Sequence, residues 1–297
     1  VRLLVTGAGG TLGGALALAL ARRFEVVAAR HRAATPAGLP PVPLELESRE
    51  ALASALAATR PDAVVHAAAI ADVDLCEREP ERARKVNTLA SQLVARACAE
   101  RGLALVLIST DLVFDGARPF VSEQDAPRPL SVYGNSKLEA ERVVLAAHAT
   151  SAIARVPLVV GAGHGPRATA SEAIAWTVAA GQRARLFRDQ FRAPLDAESL
   201  ADGIGRVLQR RAQGIFHFGG PERVSRYALG LRVAALLGLP ASLLDPITRA
   251  ERPSPGPRPD DVCLGSARAR HELDWQPRTL DAMILAGRRA PDIIPAG

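Results

Sequence analysis

Residues 2–13 read Arg2-Leu-Leu-Val5 and then Thr6-Gly-Ala-Gly-Gly-Thr-Leu-Gly13, a short apolar run followed by glycines at 7, 10 and 13. A strand that feeds a Gly-x-x-Gly-x-x-Gly turn and then a helix lets main chain approach a pyrophosphate at the helix N-terminus. A merely tight turn is the plainer reading, but the strand-turn-helix order favours a dinucleotide site. Gly7, Gly10, Thr11, Leu12 and Gly13 are its candidate cofactor residues.

Outward from this turn, helical spacing of apolar residues continues over 12–23, a second strand covers 25–29, and the Pro- and Gly-rich 35–43 reads as a loop. Residues 49–58 are helical, 63–66 and 103–108 are buried strands, 81–101 is one long helix between them, and a further strand covers 153–158. This alternation predicts an α/β fold, a Rossmann-type doubly wound parallel sheet over residues 1–160, with ligands at the carboxyl edge of its strands. Past it come a Gly-rich loop at 161–165, helices from Ser171 and Ala197, a strand at 215–218 and a helix at 225–237. Residues 161–297 are expected to build a smaller C-terminal substrate-binding lobe, set beside the sheet or interleaved with it. The Pro-rich run 253–259 is expected to be a loop closing over a site.

The chain has 297 residues, 48% hydrophobic and 23% charged, enough for a substantial core and ordinary for a globular protein. Of its 37 basic residues only Lys85 and Lys137 are lysine, and Asn occurs only at 87 and 135, a bias that fits a GC-rich genome or adaptation to heat. Net charge is +6, yet the Arg residues are spread among Asp and Glu rather than clustered, and no nucleic-acid reader motif accompanies them. Nucleic acid is therefore not the expected partner. An anionic cofactor and substrate would use such residues equally well. Three widely spaced Cys and six His show no metal-ligand spacing, so no metal is expected. No apolar run approaches a bilayer span and no signal-peptide pattern precedes the first strand, which makes a cytoplasmic, non-membrane protein the expectation. A homodimer is the base-rate expectation for its assembly.

Chemistry concentrates in Val132-Tyr-Gly-Asn-Ser-Lys137. Tyr133 and Lys137 are one helical turn apart, so phenol and ammonium share a face, and the chain holds only two Tyr and two Lys. Tyr133 suits protonation of the oxygen when hydride reaches a carbonyl carbon, and Lys137 is expected to bring the phenol toward neutrality by favouring phenolate. Thr110, ending a buried strand, can orient the same oxygen, or it can cap the next turn. Asn87, inside the long helix, either holds a water linking Lys137 to solvent on the cofactor side or is a polar residue of the helix interior. At the end of the second strand, where an acidic residue would bind ribose hydroxyls, the chain has Ala29-Arg30-His31-Arg32. Arg30 and Arg32 favour a 2′-phosphate and hence NADPH over NADH, unless they form a solvated basic loop.

The chain resembles an extended short-chain dehydrogenase/reductase, and within that superfamily the dTDP-4-dehydrorhamnose reductase group, nearly end to end. The resemblance is carried by residues 6–13, His66-Ala-Ala-Ala69, Val73-Asp74 with Glu77-x-Glu-Pro80, and Val86-Asn87. It continues through Ser109-Thr-Asp-Leu-Val-Phe-Asp-Gly116, Tyr133-Gly-Asn-Ser-Lys137, Asp189-Gln-Phe-Arg-Ala-Pro194, Gly214-Ile-Phe-His217 and Arg258-Pro259 with Leu264. It implies NADPH-dependent reduction of a 4-keto-6-deoxy sugar nucleotide, with Thr110, Tyr133 and Lys137 as the catalytic trio. It also implies that Lys137 holds the nicotinamide ribose, that Glu45 and Leu46 flank the adenine, and that Ala67 and Ala68 line the cofactor. Asp111, Gln190, Phe191 and Arg258 would face the sugar nucleotide. Departures fall on the substrate side: Leu112 stands where the family has Tyr, Arg155-Val-Pro-Leu158 where it has an Arg-Thr-Ser-Trp-like strand, and Leu195 where Thr is common. The 155–161 stretch is more similar to the non-catalytic, NADP-binding regulatory subunit of methionine adenosyltransferase, which makes such a role one alternative. A nucleotide-sugar epimerase or dehydratase is the other.

Overall fold

The computed structural model describes residues 1–165, 167–252 and 255–287. In chain order the first half contains β1 (Arg2–Thr6), α1 (Thr11–Leu20), β2 (Glu25–Arg30), β3 (Pro41–Pro43), α2 (Arg49–Thr59) and β4 (Ala63–His66). It continues through α3 (Val73–Arg78), α4 (Pro80–Ala83), α5 (Ala90–Ala99), β5 (Ala104–Thr110), α6 (Val132–Ala147) and β6 (Ala152–Val156). Next come β7 (Val159–Val160), α7 (Ala170–Ala179), β8 (Ala184–Phe187), β9 (Phe191–Arg192), β10 (Leu195–Asp196) and α8 (Ala197–Arg210). The remainder is β11 (Gly214–His217), β12 (Val224–Ser225), α9 (Arg226–Leu237), β13 (Leu244–Ile247), α10 (Ala267–Leu273) and α11 (Leu280–Ala286).

Seven parallel strands lie in the order β11-β6-β5-β4-β1-β2-β3, so the expected doubly wound sheet is present. Its strands alternate between two cores because successive side chains of a strand point to opposite faces. Leu3 and Val5 pack with Leu16, Ile204 and Phe216 on one side; Leu4, Leu107 and Ile153 pack with Leu52, Val94 and Val144 on the other. β11 completes the sheet beside β6, so residues on both sides of position 160 contribute to it. Short pairs β8–β13, β9–β12 and β7–β10 build the remainder of the second half.

Three local readings change. The helix expected over 81–101 is broken by a π-helical turn, Arg84–Leu89, between α4 and α5. The wider turn accommodates Asn87 and Thr88, neither exposed, which bond Ile70 and Ser136. The loop expected over 35–43 ends in an edge strand: Pro41 and Pro43 have no N–H, and the pairing bonds run instead through Ala28 to the Pro40 carbonyl and Leu44 to that of Arg30. Finally, the strand expected over 153–158 stops before Pro157, and β7 leaves to pair with β10.

Beneath the carboxyl edge lies a buried ionic network. Arg155 on β6 donates from Nε and Nη2 to Glu141 on α6, at 3.0 and 2.7 Å, and from Nη1 to His217 Nε2 at 3.2 Å. Ser109 donates to the same carboxylate, and His217 Nδ1 lies 3.0 Å from the Val121 carbonyl. Burial, reinforced by the Arg155 charge, pushes His217 down to about 3, so its ring is neutral and Nε2 can accept. Breaking such a pair leaves one uncompensated buried charge, which costs about 3–5 kcal/mol. Glu141→Gln is therefore expected to lower the thermal unfolding midpoint by several degrees. The double variant Glu141→Leu/Arg155→Met should lose less than the two single losses added, as a thermal double-mutant cycle would show.

Candidate functional site

One long cleft, about 1260 Å³, runs along the carboxyl edge of the sheet. At one end, β1 delivers Gly7 at φ +72°, in the left-handed region, where a Cβ would lie 2.7 Å from backbone atoms of Ala68. Gly13 sits against the Gly7 carbonyl, leaving no room for a side chain. Gly10 caps α1 without any side-chain bond, so the helix opens bare into the cleft, where its dipole favours an anion. Thr11 and Leu12 line the same end. Across from them, Arg30 ends β2 and Arg32 follows, while Glu45, bonded to His31 at 2.8 Å, and Leu46 form the wall. Ala67 and Ala68, just past β4, close this half. A bare helix start, a close glycine turn and two cations where an acid would exclude phosphate fit NADPH.

The centre of the cleft holds Thr110, Tyr133 and Lys137, all more than nine-tenths buried. Ser131 caps α6 by accepting from the Gly134 N–H, which fixes Tyr133 in the first turn. Of the two roles expected of Thr110, the cap of the next turn is present. It accepts from the Leu112 N–H at 3.2 Å, capping the next turn, donates to Asp111 Oδ1 at 3.1 Å, and stands near enough to the Tyr133 phenol to act on it. Tyr133 departs from expectation, because burial raises its pKa well above the ordinary tyrosine range, with the Asp111 charge adding and the Thr110 bond opposing. Lys137 is itself pushed down to about 8 by burial, against the attraction of Glu141 one turn on, and finds no hydrogen-bond partner among the described residues. His66, kept neutral with its pKa near 3 by burial and by Lys137, bridges Thr6 and Ser91 behind the cleft.

Two expected site residues stand elsewhere. Asn87 does not line the cleft. Its amide accepts from the Ile70 N–H at 2.8 Å and donates to the Ile70 carbonyl and Ser136, which holds the 67–71 loop against α6. Phe191 also misses the cleft, its ring lying 3.6 Å under the Arg223 guanidinium. Asp111, Gln190 and Arg258 do reach the far half. Burial pushes Asp111 up to about 6, against the pull of Arg192, whose Nε is 3.7 Å away. Of the Pro-rich run, residues 253 and 254 lie outside the described residues, while Arg258 bonds Asp74 on α3 at 2.9 Å and so ties this segment to the cleft wall. Sequence reasoning missed Arg192 and Arg226 as cleft residues. Arg192 sits inside the quoted Asp189–Pro194 motif and could have been singled out there; nothing in the sequence marks Arg226.

The family model of the RmlD substrate binding domain matches residues 1–285. The probable low-salt glycan biosynthesis reductase Agl14 of Haloferax volcanii is 30% identical over 285 residues, covering 93% of this chain and 94% of that protein. Methionine adenosyltransferase 2 subunit beta of Danio rerio is 31% identical over 274 residues, 90% of this chain and 83% of its own. The crystal structure of a hypothetical dTDP-4-dehydrorhamnose reductase from Sulfolobus tokodaii superposes with a TM-score of 0.82 at 33% identity, over 95% and 99% of the two chains. With its parallel sheet, bare α1 terminus and Thr-Tyr-Lys cluster, the chain belongs to the RmlD substrate binding domain family, within the extended short-chain dehydrogenase/reductase type of NAD(P)-dependent oxidoreductase.

Proposed function

We propose that this protein reduces the keto group of a 4-keto-6-deoxy sugar nucleotide, with NADPH as the hydride source. The observation that carries the reading is the convergence of Thr110, Tyr133 and Lys137 at the middle of one cleft, between the bare start of α1 and an arginine-rich far half. When bound, NADPH supplies a hydride to the carbonyl carbon. The chain's residues do the rest: Gly7, Gly10 and Gly13 admit the pyrophosphate, Arg30 and Arg32 receive the 2′-phosphate, and Lys137 holds the nicotinamide ribose. Thr110 orients the carbonyl oxygen while Tyr133 gives it a proton. The raised phenol pKa keeps Tyr133 protonated near neutrality, as a donor must be.

NADPH oxidation followed at the nicotinamide absorbance, with the 4-keto-6-deoxy product of dTDP-glucose dehydration, tests this reading. Tyr133→Phe should reduce turnover about a hundredfold or more and leave NADPH affinity within a few-fold. Equal turnover by the two proteins would remove Tyr133 as the proton donor. One observation favours a second reading: Leu112, Pro157 and Leu158 put apolar groups on the substrate wall. An NADP-binding regulatory subunit would bind NADPH tightly, turn over no keto sugar, and co-purify with a larger enzyme.

Lys137 gives a pH-dependent prediction. Its folded pKa near 8 lies below the ordinary 10.5, so the buried charge costs stability fully below pH 8, and the cost fades as pH rises from 8 to 10.5. Lys137→Met should accordingly raise the melting midpoint of the ligand-free protein by a few degrees at pH 7. The gain should shrink across that interval in thermal unfolding recorded from pH 7 to pH 10.5.

A further inference from the structure

The adenosine end of the cleft contains the acid that the end of β2 lacks. β3 pairs parallel with β2, with Arg30 opposite Pro43 and the Leu44 N–H donating to the Arg30 carbonyl at 2.8 Å, so Glu45 arrives beside His31. Its Oε2 lies 2.8 Å from His31 Nε2, and both residues line the cleft. Arg30 and Arg32, on either side of His31 in the chain, line it too and have no carboxylate partner among the described residues. This end therefore carries two opposed determinants. Free guanidiniums attract a ribose 2′-phosphate, whereas a carboxylate repels that phosphate and accepts from ribose hydroxyls instead.

His31 is what separates the two. The His31–Glu45 contact is about half exposed on both sides, so it adds little to stability, and stability does not account for its place at the cofactor end. Glu47, the other carboxylate lining this end, is covered in the same way. Lys85, one of only two lysines in the chain, reaches it at 2.5 Å from the π-helical turn and also feels the Glu45 charge. Arg82, which lines the cleft from α4, is engaged by Glu79 at 2.7 Å. Each acid thus has its own donor, and neither donor is Arg30 or Arg32. The sorting leaves those two guanidiniums to a phosphate.

We propose that His31 sets the cofactor preference of the cleft: by occupying Glu45 it takes up the acid that would otherwise select NADH, and so makes Arg30 and Arg32 selective for the 2′-phosphate of NADPH. This rests on the NADPH part of the proposed function and adds the residue on which the choice between the two dinucleotides turns. His31 acts through Glu45 and is a positioning residue rather than a phosphate ligand.

Calorimetric titration of the full chain with NADPH and NADH, and with adenosine 2′,5′-bisphosphate and AMP as fragments of the contested end, tests this without turnover. The quantity read is the preference, the dissociation constant of the ligand lacking the 2′-phosphate divided by that of the ligand carrying it, in which contacts common to both cancel. His31→Ala should lower the preference about tenfold in both ligand pairs. Glu45→Gln should leave it at or above the wild-type value, and His31→Ala/Glu45→Gln should return to within about threefold of Glu45→Gln alone. Neither a direct contact between His31 and phosphate nor a merely structural histidine would produce that return. An unchanged preference in His31→Ala, a loss that Glu45→Gln does not repair, or no binding of either dinucleotide would overturn the proposal. If the preference shifts as stated while no keto sugar is reduced, the role of His31 stands and the reductase reading fails. If keto sugar is reduced while His31→Ala keeps the wild-type preference, only the role of His31 fails.

Discussion

The Glu141–Arg155 ion pair ties together the parts on which the site depends. Glu141 lies one turn beyond Lys137 on α6, Arg155 lies on β6, and the carboxylate also receives Ser109 from β5, the residue before Thr110. Helix, two strands and, through His217, a third strand are thereby fixed at one point below the cleft. Thr110 and Tyr133 meet because the elements carrying them are pinned there. The network is nearly dry, with side chains of the pair 2% and 3% exposed, so it resists screening and any loosening leaves a bare charge.

A parallel sheet adds a second constraint. All seven strands end on the same edge, so Thr6, Arg30, His66 and Thr110 arrive side by side without sharing a stretch of sequence. Only glycine lets the chain turn from β1 into α1 there, with Ala68 backbone packed on Gly7. The electrostatics follow from this crowding. Lys137 and His66 are pushed down and Tyr133 and Asp111 are pushed up, each chiefly by loss of water. A cleft of this kind stores unfavourable charge that a bound cofactor and an anionic substrate can relieve.

The sheet and the meeting of Thr110, Tyr133 and Lys137 in one cleft are legible because they follow from local pattern: apolar runs, a glycine turn, and Tyr and Lys one turn apart. Elements set by long-range partners are not. Nothing local to Asn87 reveals that Ile70 and Ser136 take its amide, nor does Phe191 show that Arg223 covers it. The π-helical turn is hidden in a sequence with ordinary helical spacing, and the Pro41–Pro43 strand is hidden by the residues that most strongly signal a loop. Arg226 was unreadable for a different reason. Among 35 arginines, what marks it is burial of its guanidinium with Nη1 unpartnered among the described residues, which depends on which segments fold against α9.

On the proposed function, this cleft passes a hydride to a sugar carbonyl while Tyr133 supplies the proton. The most direct test uses NADPH deuterated at nicotinamide C4 with the 4-keto-6-deoxy product of dTDP-glucose dehydration, reading the sugar by mass spectrometry and NMR. One deuterium is expected on carbon 4 of the reduced sugar. Bound NADPH with no label transferred to the sugar would contradict it.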